Sequence, residues 1–221
     1  MAPTAGTAAH VVGTVHDASP WVPSGADLEQ LRSAAHACRG CELWQDTTQV
    51  VFGQGADTAR LMLVGEQPGD REDRSGEPFV GPAGRILDQA LETLGIERHD
   101  VYLTNAVKHF RHEDRGKKRI HRKPNLAHLR ACAPWIREEI AVVRPRALCL
   151  MGATAGRAIL GEDVRVGERR GIPAPTPFGP TAVLTVHPSS IVRERDEGRR
   201  AEAFDAFVAD LRIALAVAGS L

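Results

Sequence analysis

The chain has 221 residues, with 28 lysines and arginines against 28 aspartates and glutamates and therefore a formal net charge of zero. This length buries one full core and favours one domain over two, while the charge balance excludes a nucleic-acid affinity spread over the whole surface and requires a local patch. No apolar run approaches the roughly 20 residues that span a bilayer, and the opening MAPTAGTAAHVVGTVHDASP lacks both a basic segment and a continuous apolar one, so a cytoplasmic protein with no membrane partner is expected.

Residues 1–25 are rich in Ala, Thr, Gly and Pro without periodicity and read as a mobile tail ahead of a single domain over residues 26–221. A helix is expected near Asp27, with Leu28, Leu31 and Ala35 on one face, running into Cys38. Leu61 to Val64 read as a strand buried on both faces. Gly65-Glu66-Gln67-Pro68-Gly69-Asp70 ends it, because Pro68 lacks an N–H and the glycines favour a sharp turn. Glu66 and Asp70 then stand at the carboxyl end of a strand, where ligands bind in an open parallel sheet. The plainer alternative is an acidic loop that only joins strand to helix. Gly81-Pro82-Ala83-Gly84 opens a helix carrying Ile86, Leu87, Ala90, Leu91 and Leu94 and ending at Gly95.

Val101 to Asn105 reads as a second strand. Lys108 to Pro124, KHFRHEDRGKKRIHRKP, reads as a long loop too polar to pack inside. A helix follows from about Asn125 to Val143, then a third strand from Arg146 to Met151 and a short helix from Ala153 to Leu160. Residues 161–180 read as an irregular connection, Thr181 to Val186 as a fourth strand ending at His187-Pro188-Ser189-Ser190, and about Arg199 to Val217 as the last helix. Alternation of strands and helices argues for the α/β class, a parallel sheet covered on both faces in a three-layer α/β/α sandwich. Strand ends one, two and four bring Glu66, Asn105 and His187 to the same edge, and this convergence marks a candidate site.

Of the four cysteines, Cys38 and Cys41 have the spacing of a metal-binding knuckle. Cys132 is a third candidate ligand. Cys149, between Leu148 and Leu150, reads as a small buried hydrophobe, and His109 is better placed to reach a metal. Three thiolates and an imidazole suit zinc or an iron–sulfur cluster, and spacing alone does not choose. The cations of the long loop suit phosphate contact. Within it, His121 is flanked by Arg119 and Arg122, whose charges disfavour its protonation and leave a ring nitrogen free as base or nucleophile. An exposed histidine with no role is the default alternative.

With GEQPGD, TNAVKHF, GKKRIH and VHPSS in this order, the chain resembles the uracil-DNA glycosylase superfamily, in particular its iron–sulfur, family 4-like branch and, within that, the UdgX type. The resemblance runs from Cys38 to the last helix. It implies a four-stranded parallel sheet of order 2-1-3-4 and a structural [4Fe–4S] cluster on Cys38, Cys41, His109 and Cys132, with Cys149 left in the core. It implies a monomeric bacterial enzyme of DNA repair that takes uracil-containing DNA, preferably single-stranded, and releases free uracil. Phe79 would stack on the base, the Asn105 amide would read its O4 and N3–H edge, His187 would donate to O2, and the backbone from Gln67 to Gly69 would line the pocket. The UdgX type carries an inserted loop reading K-R-R-I-H, whose histidine becomes bonded to the deoxyribose. Here Lys117-Lys118-Arg119-Ile120-His121 departs by one lysine and keeps the arginine nearest the histidine. The resemblance thus gives His121 the covalent role, with Glu66 orienting or deprotonating it, Asp70 assisting, and Lys118, Arg119, Ser189, Ser190 and Arg193 contacting DNA. A conventional hydrolytic glycosylase and a non-catalytic uracil-DNA-binding module are the alternatives.

Overall fold

The computed structural model describes residues 17–161 and 164–219. In chain order its elements are α1 (Leu28–Ala35), β1 (Gln54–Gly55), β2 (Leu61–Gly65), α2 (Asp70–Ser75), α3 (Pro82–Thr93), β3 (Tyr102–Asn105), β4 (His112–Arg115), β5 (Lys118–His121), α4 (Leu126–Val143), β6 (Ala147–Met151), α5 (Ala153–Leu160), α6 (Val166–Arg169), β7 (Pro173–Pro175), β8 (Thr181–Thr185), α7 (Pro188–Arg193) and α8 (Glu197–Ala218). The main sheet runs β1-β3-β2-β6-β8-β7. Its centre, β3-β2-β6-β8, is parallel throughout and has the expected order 2-1-3-4. The sheet is wider than expected because β1 and β7 add an antiparallel strand at each edge. Pro173 and Pro175 lie in one of these edges, where a residue without an N–H blunts further pairing.

Side-chain alternation divides the core into two layers. Met62 and Val64 of β2, with Leu148 and Leu150 of β6, face Leu31, Trp135, Ile136 and Ile140 on one side. Leu61, Leu63, Cys149 and Val183 face Leu87, Leu91, Phe207 and Leu211 on the other. β2 and β6 are buried along their whole length, which is why they read as unbroken apolar runs.

Four segments differ from expectation. Residues 1–16 of the tail lie outside the described residues, but Ala18 is buried and its N–H donates to the Ala131 carbonyl at 2.8 Å, so the stretch from Asp17 lies against α4. α1 stops at Ala35, short of Cys38. Residues 161–180 include α6 and β7. The long polar loop holds the two-stranded hairpin β4–β5, and its first residues, Lys108, His109 and Phe110, are buried. The burial of Lys108 has a specific reason. Its Nζ donates to Thr104 Oγ1 at 2.6 Å, to the Asn105 carbonyl at 2.8 Å and to the Glu139 carboxylate, so all three ammonium protons are placed. Glu139 also accepts from the Gly53 N–H, the Tyr102 hydroxyl and the Thr104 hydroxyl. Among the described residues no helix is long and apolar enough to cross a membrane.

Candidate active site

All four parallel strands end at one cavity of about 770 Å³. β2 delivers Glu66, β3 delivers Asn105, β6 delivers the turn Gly152-Ala153-Thr154, and β8 delivers His187. Gly65 makes the floor possible. A Cβ there would stand 2.4 Å from Asn105 Oδ1 and 2.6 Å from Phe79 Cζ, so only glycine lets the amide and the ring meet over the strand end. Phe79 sits at φ 57°, in the left-handed region that a bulky residue adopts only under constraint. Arg98 supplies part of that constraint by donating to the Pro78 carbonyl at 2.7 Å and the Phe79 carbonyl at 3.3 Å. The Phe79 ring lies nearly parallel to the His187 ring, with centroids 6.4 Å apart.

His187 is held in one tautomer. The Ser189 N–H donates to Nδ1 at 3.2 Å, with the Ser189 hydroxyl 2.9 Å from the same atom, while Arg193 donates to that hydroxyl oxygen at 3.1 Å. Nδ1 is therefore an acceptor, and the ring proton resides on Nε2. Burial first, then the neighbouring His121 and Arg193, pushes the His187 pKa down to about 4. The ring is a neutral hydrogen-bond donor.

His121 ends β5 with its Nε2 3.4 Å from Glu66 Oε1. The other carboxylate oxygen of Glu66 accepts from the Thr154 hydroxyl. Burial lowers the His121 pKa below its ordinary 6.5, Glu66 opposing and Arg193 adding to the shift. The cation that acts on His121 is thus Arg193 of α7, rather than its sequence neighbours. Arg122 is paired with Glu113 in the hairpin at 2.6 Å. Arg119 places Nε 2.5 Å from Asp70 Oδ1 and Nη1 2.6 Å from the buried Asp73, and lies 5.5 Å from the centre of the Phe110 ring.

Two of the expected site residues are already engaged within the protein. Arg119, expected at the DNA, clamps the hairpin to α2, because buried Asp73 requires a partner more strongly than a solvated phosphate does. Asp70, expected to assist the chemistry, holds Arg119 and also Arg74 at 3.0 Å. Against the raising effect of partial burial, these two cations keep the Asp70 carboxyl below the usual range. Gln67 lines the cavity, and its side chain is engaged by the hairpin. Its amide donates to the Arg111 and Arg122 carbonyls at 3.1 Å each and accepts from the Arg111 N–H at 3.1 Å. Lys118 is exposed on the hairpin opposite Arg115, Ser190 donates to the His187 carbonyl at 2.8 Å, and exposed Arg193 lines the cavity mouth. Thr154 was not legible as a site residue. The nearest signal is a glycine closing a buried strand with a hydroxyl residue two positions on.

Cys38, Cys41 and Cys132 influence one another electrostatically, and burial pushes the Cys132 thiol up to about 12 and the Cys41 thiol to about 11. The Lys108 N–H donates to Cys132 Sγ and the Trp135 indole N–H to Cys38 Sγ, both at 3.3 Å. His109, next to Lys108, has its pKa pushed down to about 4 by burial. His128 Nε2, 2.7 Å from Glu42, ties the Cys41 turn to α4. Among the described residues no three His, Cys, Asp or Glu side chains gather tightly enough to hold one metal ion. A cubane shares its ligands among four irons and does not need them to meet at a point. Sulfurs that already receive N–H donors fit such a group. Cys149 is fully buried in β6, and burial drives its thiol pKa far up.

A family model described as the uracil DNA glycosylase superfamily matches residues 52–212. A type-4 uracil-DNA glycosylase of Thermotoga maritima is 33% identical over 174 residues, 78% of this chain and 87% of that one. Its counterpart in Pyrobaculum aerophilum is 32% identical over 175 residues, 76% of this chain and 86% of that one. A third, from Sulfurisphaera tokodaii, is 35% identical over 136 residues, 61% of this chain and 59% of that one. Matched over more than half its length by the family model, with the four strand ends meeting at one cavity, the chain belongs to the uracil DNA glycosylase superfamily.

Proposed function

We propose that this protein excises uracil from DNA and that His121 then captures the deoxyribose, leaving a covalent protein–DNA adduct of the UdgX kind. The observation that carries the reading is the position of His121, whose Nε2 stands 3.4 Å from Glu66 at the cavity that Asn105 and His187 also line. The nucleotide is presented in single-stranded DNA or flipped from a duplex. Phe79 stacks on the base, and the Asn105 amide meets the O4 and N3–H edge, which cytosine presents with donor and acceptor exchanged. The Nε2–H of neutral His187 donates to uracil O2 as charge builds on the leaving base.

Uracil departs with the electron pair of the glycosidic bond, and C1′ becomes cationic. A lone pair of the neutral His121 ring forms the new N–C1′ bond, and the remaining ring proton passes to Glu66 or to solvent. Lys118, Ser189, Ser190 and Arg193 contact the DNA backbone. The protein acts as a monomer, with free uracil as the released product. We also propose a [4Fe–4S] cluster on Cys38, Cys41, His109 and Cys132, as the donor set and the N–H groups aimed at its sulfurs support. When bound it would tie the residues after α1 to α4 and to the base of the hairpin, taking no part in base removal.

The test is incubation with uracil-containing single-stranded DNA followed by a denaturing gel. The expected result is a band at the summed mass of protein and DNA that His121→Ala abolishes. Free abasic DNA without that band would establish the hydrolytic alternative, and retention of uracil on the DNA would establish the binding module.

A further inference from the structure

The end of the third parallel strand contributes a group to the cavity that the proposed chemistry does not yet use. Gly152 closes β6 at φ 92°, a conformation that favours glycine, and a Cβ on it would stand 3.0 Å from the His187 Cβ. The turn therefore packs tightly against His187 and starts α5 so that Thr154 falls in its first turn, 2% exposed. Its hydroxyl donates to Glu66 Oε2. Glu66 Oε1 is the oxygen that faces His121.

We propose that Thr154 is the positioning residue for Glu66: its hydroxyl fixes one carboxylate oxygen so that the other is held against the His121 ring. This deepens the reading of Glu66 and His121 given above and rests on it. The arrangement follows the general logic of an activated nucleophile, in which the group that polarises it is oriented by a third. A glutamate has three rotatable side-chain bonds, and without an anchor its carboxylate would sample rotamers pointing into the cavity. Thr154 touches neither base nor sugar in this scheme. Its effect passes entirely through Glu66.

The experiment compares wild type with Thr154→Val, which keeps the shape and removes the donor, and Thr154→Ser, which keeps the donor. Single-turnover rates of uracil release and of adduct formation are measured on uracil-containing single-stranded DNA. In parallel the His121 pKa is followed by NMR in the free protein. The charged or titratable groups acting on that ring are Glu66 from the turn after β2, and Arg193 and His187 from the α7 side. Thr154→Val is expected to slow the chemical step by about tenfold to a hundredfold with DNA affinity unchanged, as for loss of one hydrogen bond to a charged group. The His121 pKa should fall further as Glu66, which opposes the depression, leaves it. Thr154→Ser should restore both.

An unchanged rate and pKa in Thr154→Val would overturn the proposal. So would equal losses in both variants accompanied by a lowered melting temperature, which would mark Thr154 as packing only. The His121 titration is independent of turnover. If wild type forms no adduct, the covalent reading fails while Thr154 is still judged on uracil release and on the pKa.

Discussion

The clamp between Arg119 and α2 makes a quantitative prediction. Arg119→Met keeps an unbranched apolar side chain and removes both ion pairs together with the guanidinium over Phe110. Asp73 is fully buried and the Arg119 side chain only 15% exposed, whereas Asp70 is 40% exposed. The Asp70 pair is therefore worth little, of the order of a surface ion pair at about 0–1 kcal/mol. Stranding a buried charge costs about 3–5 kcal/mol, but Asp73 keeps the Thr48 N–H at 3.0–3.1 Å. We expect the variant to lose about 2–4 kcal/mol, and a loss of about 3 kcal/mol weakens hairpin docking roughly 150-fold. Hydrogen exchange at Lys118 to His121 should accelerate and adduct formation should slow, with Arg119→Lys intermediate because an ammonium lacks the planar fork. Unchanged exchange and rate would refute the clamp. A variant that instead loses only DNA affinity, with its salt dependence shallower by about 0.7 for a single strand, would return Arg119 to the phosphate backbone.

The remaining predictions concern protons, a buried charge and sulfur. Because the His121 pKa is depressed below 6.5, single-turnover capture should be flat at and above neutral pH and fall as acid protonates the nucleophile; a rate that rises in acid would contradict this. His187 is neutral in the fold down to about 4, whereas the unfolded chain protonates it near 6.5, so its contribution to stability is present above 6.5 and is lost as pH falls between these values, as denaturant unfolding across that range would show. Lys108→Met leaves Glu139 charged in a fully buried site and should cost about 3–5 kcal/mol in urea unfolding, much of it recovered by adding Glu139→Gln. Cys132→Ser should reduce bound iron and visible absorption, measured together on the purified protein.

The central sheet was legible because its strands are buried on both faces. Leu61 to Val64 and Ala147 to Met151 have no alternation to blur them. Asp27 and Asn125 each accept from the backbone three residues on, so the starts of α1 and α4 stood where their capping residues indicated. The edge strand Pro173–Pro175 was not legible, since its prolines argue against a strand and only the pairing with β8 makes it one. Lys108 was misjudged for a similar reason. Its cationic type argues for solvent, and the partner that buries it, Glu139, lies on a helix far along the chain. In the site, the meeting of Glu66, Asn105 and His187 followed from their places at the carboxyl ends of parallel strands. Arg119 did not, because its partners on α2 are far from it in sequence and nothing in Asp70 or Asp73 marks them as docking points.

Gln67 and Glu66 are consecutive, yet one braces the hairpin on both sides of its base while the other faces the histidine at its end. The His121 ring and the Glu66 carboxylate are thereby held by neighbouring parts of one support, the turn after β2 and the hairpin that Gln67 ties to it. On the proposed reading the journey belongs to the nucleotide: the sugar is drawn to a ring already in place, so single strands and frayed ends, whose bases swing out cheaply, would be the readier substrates.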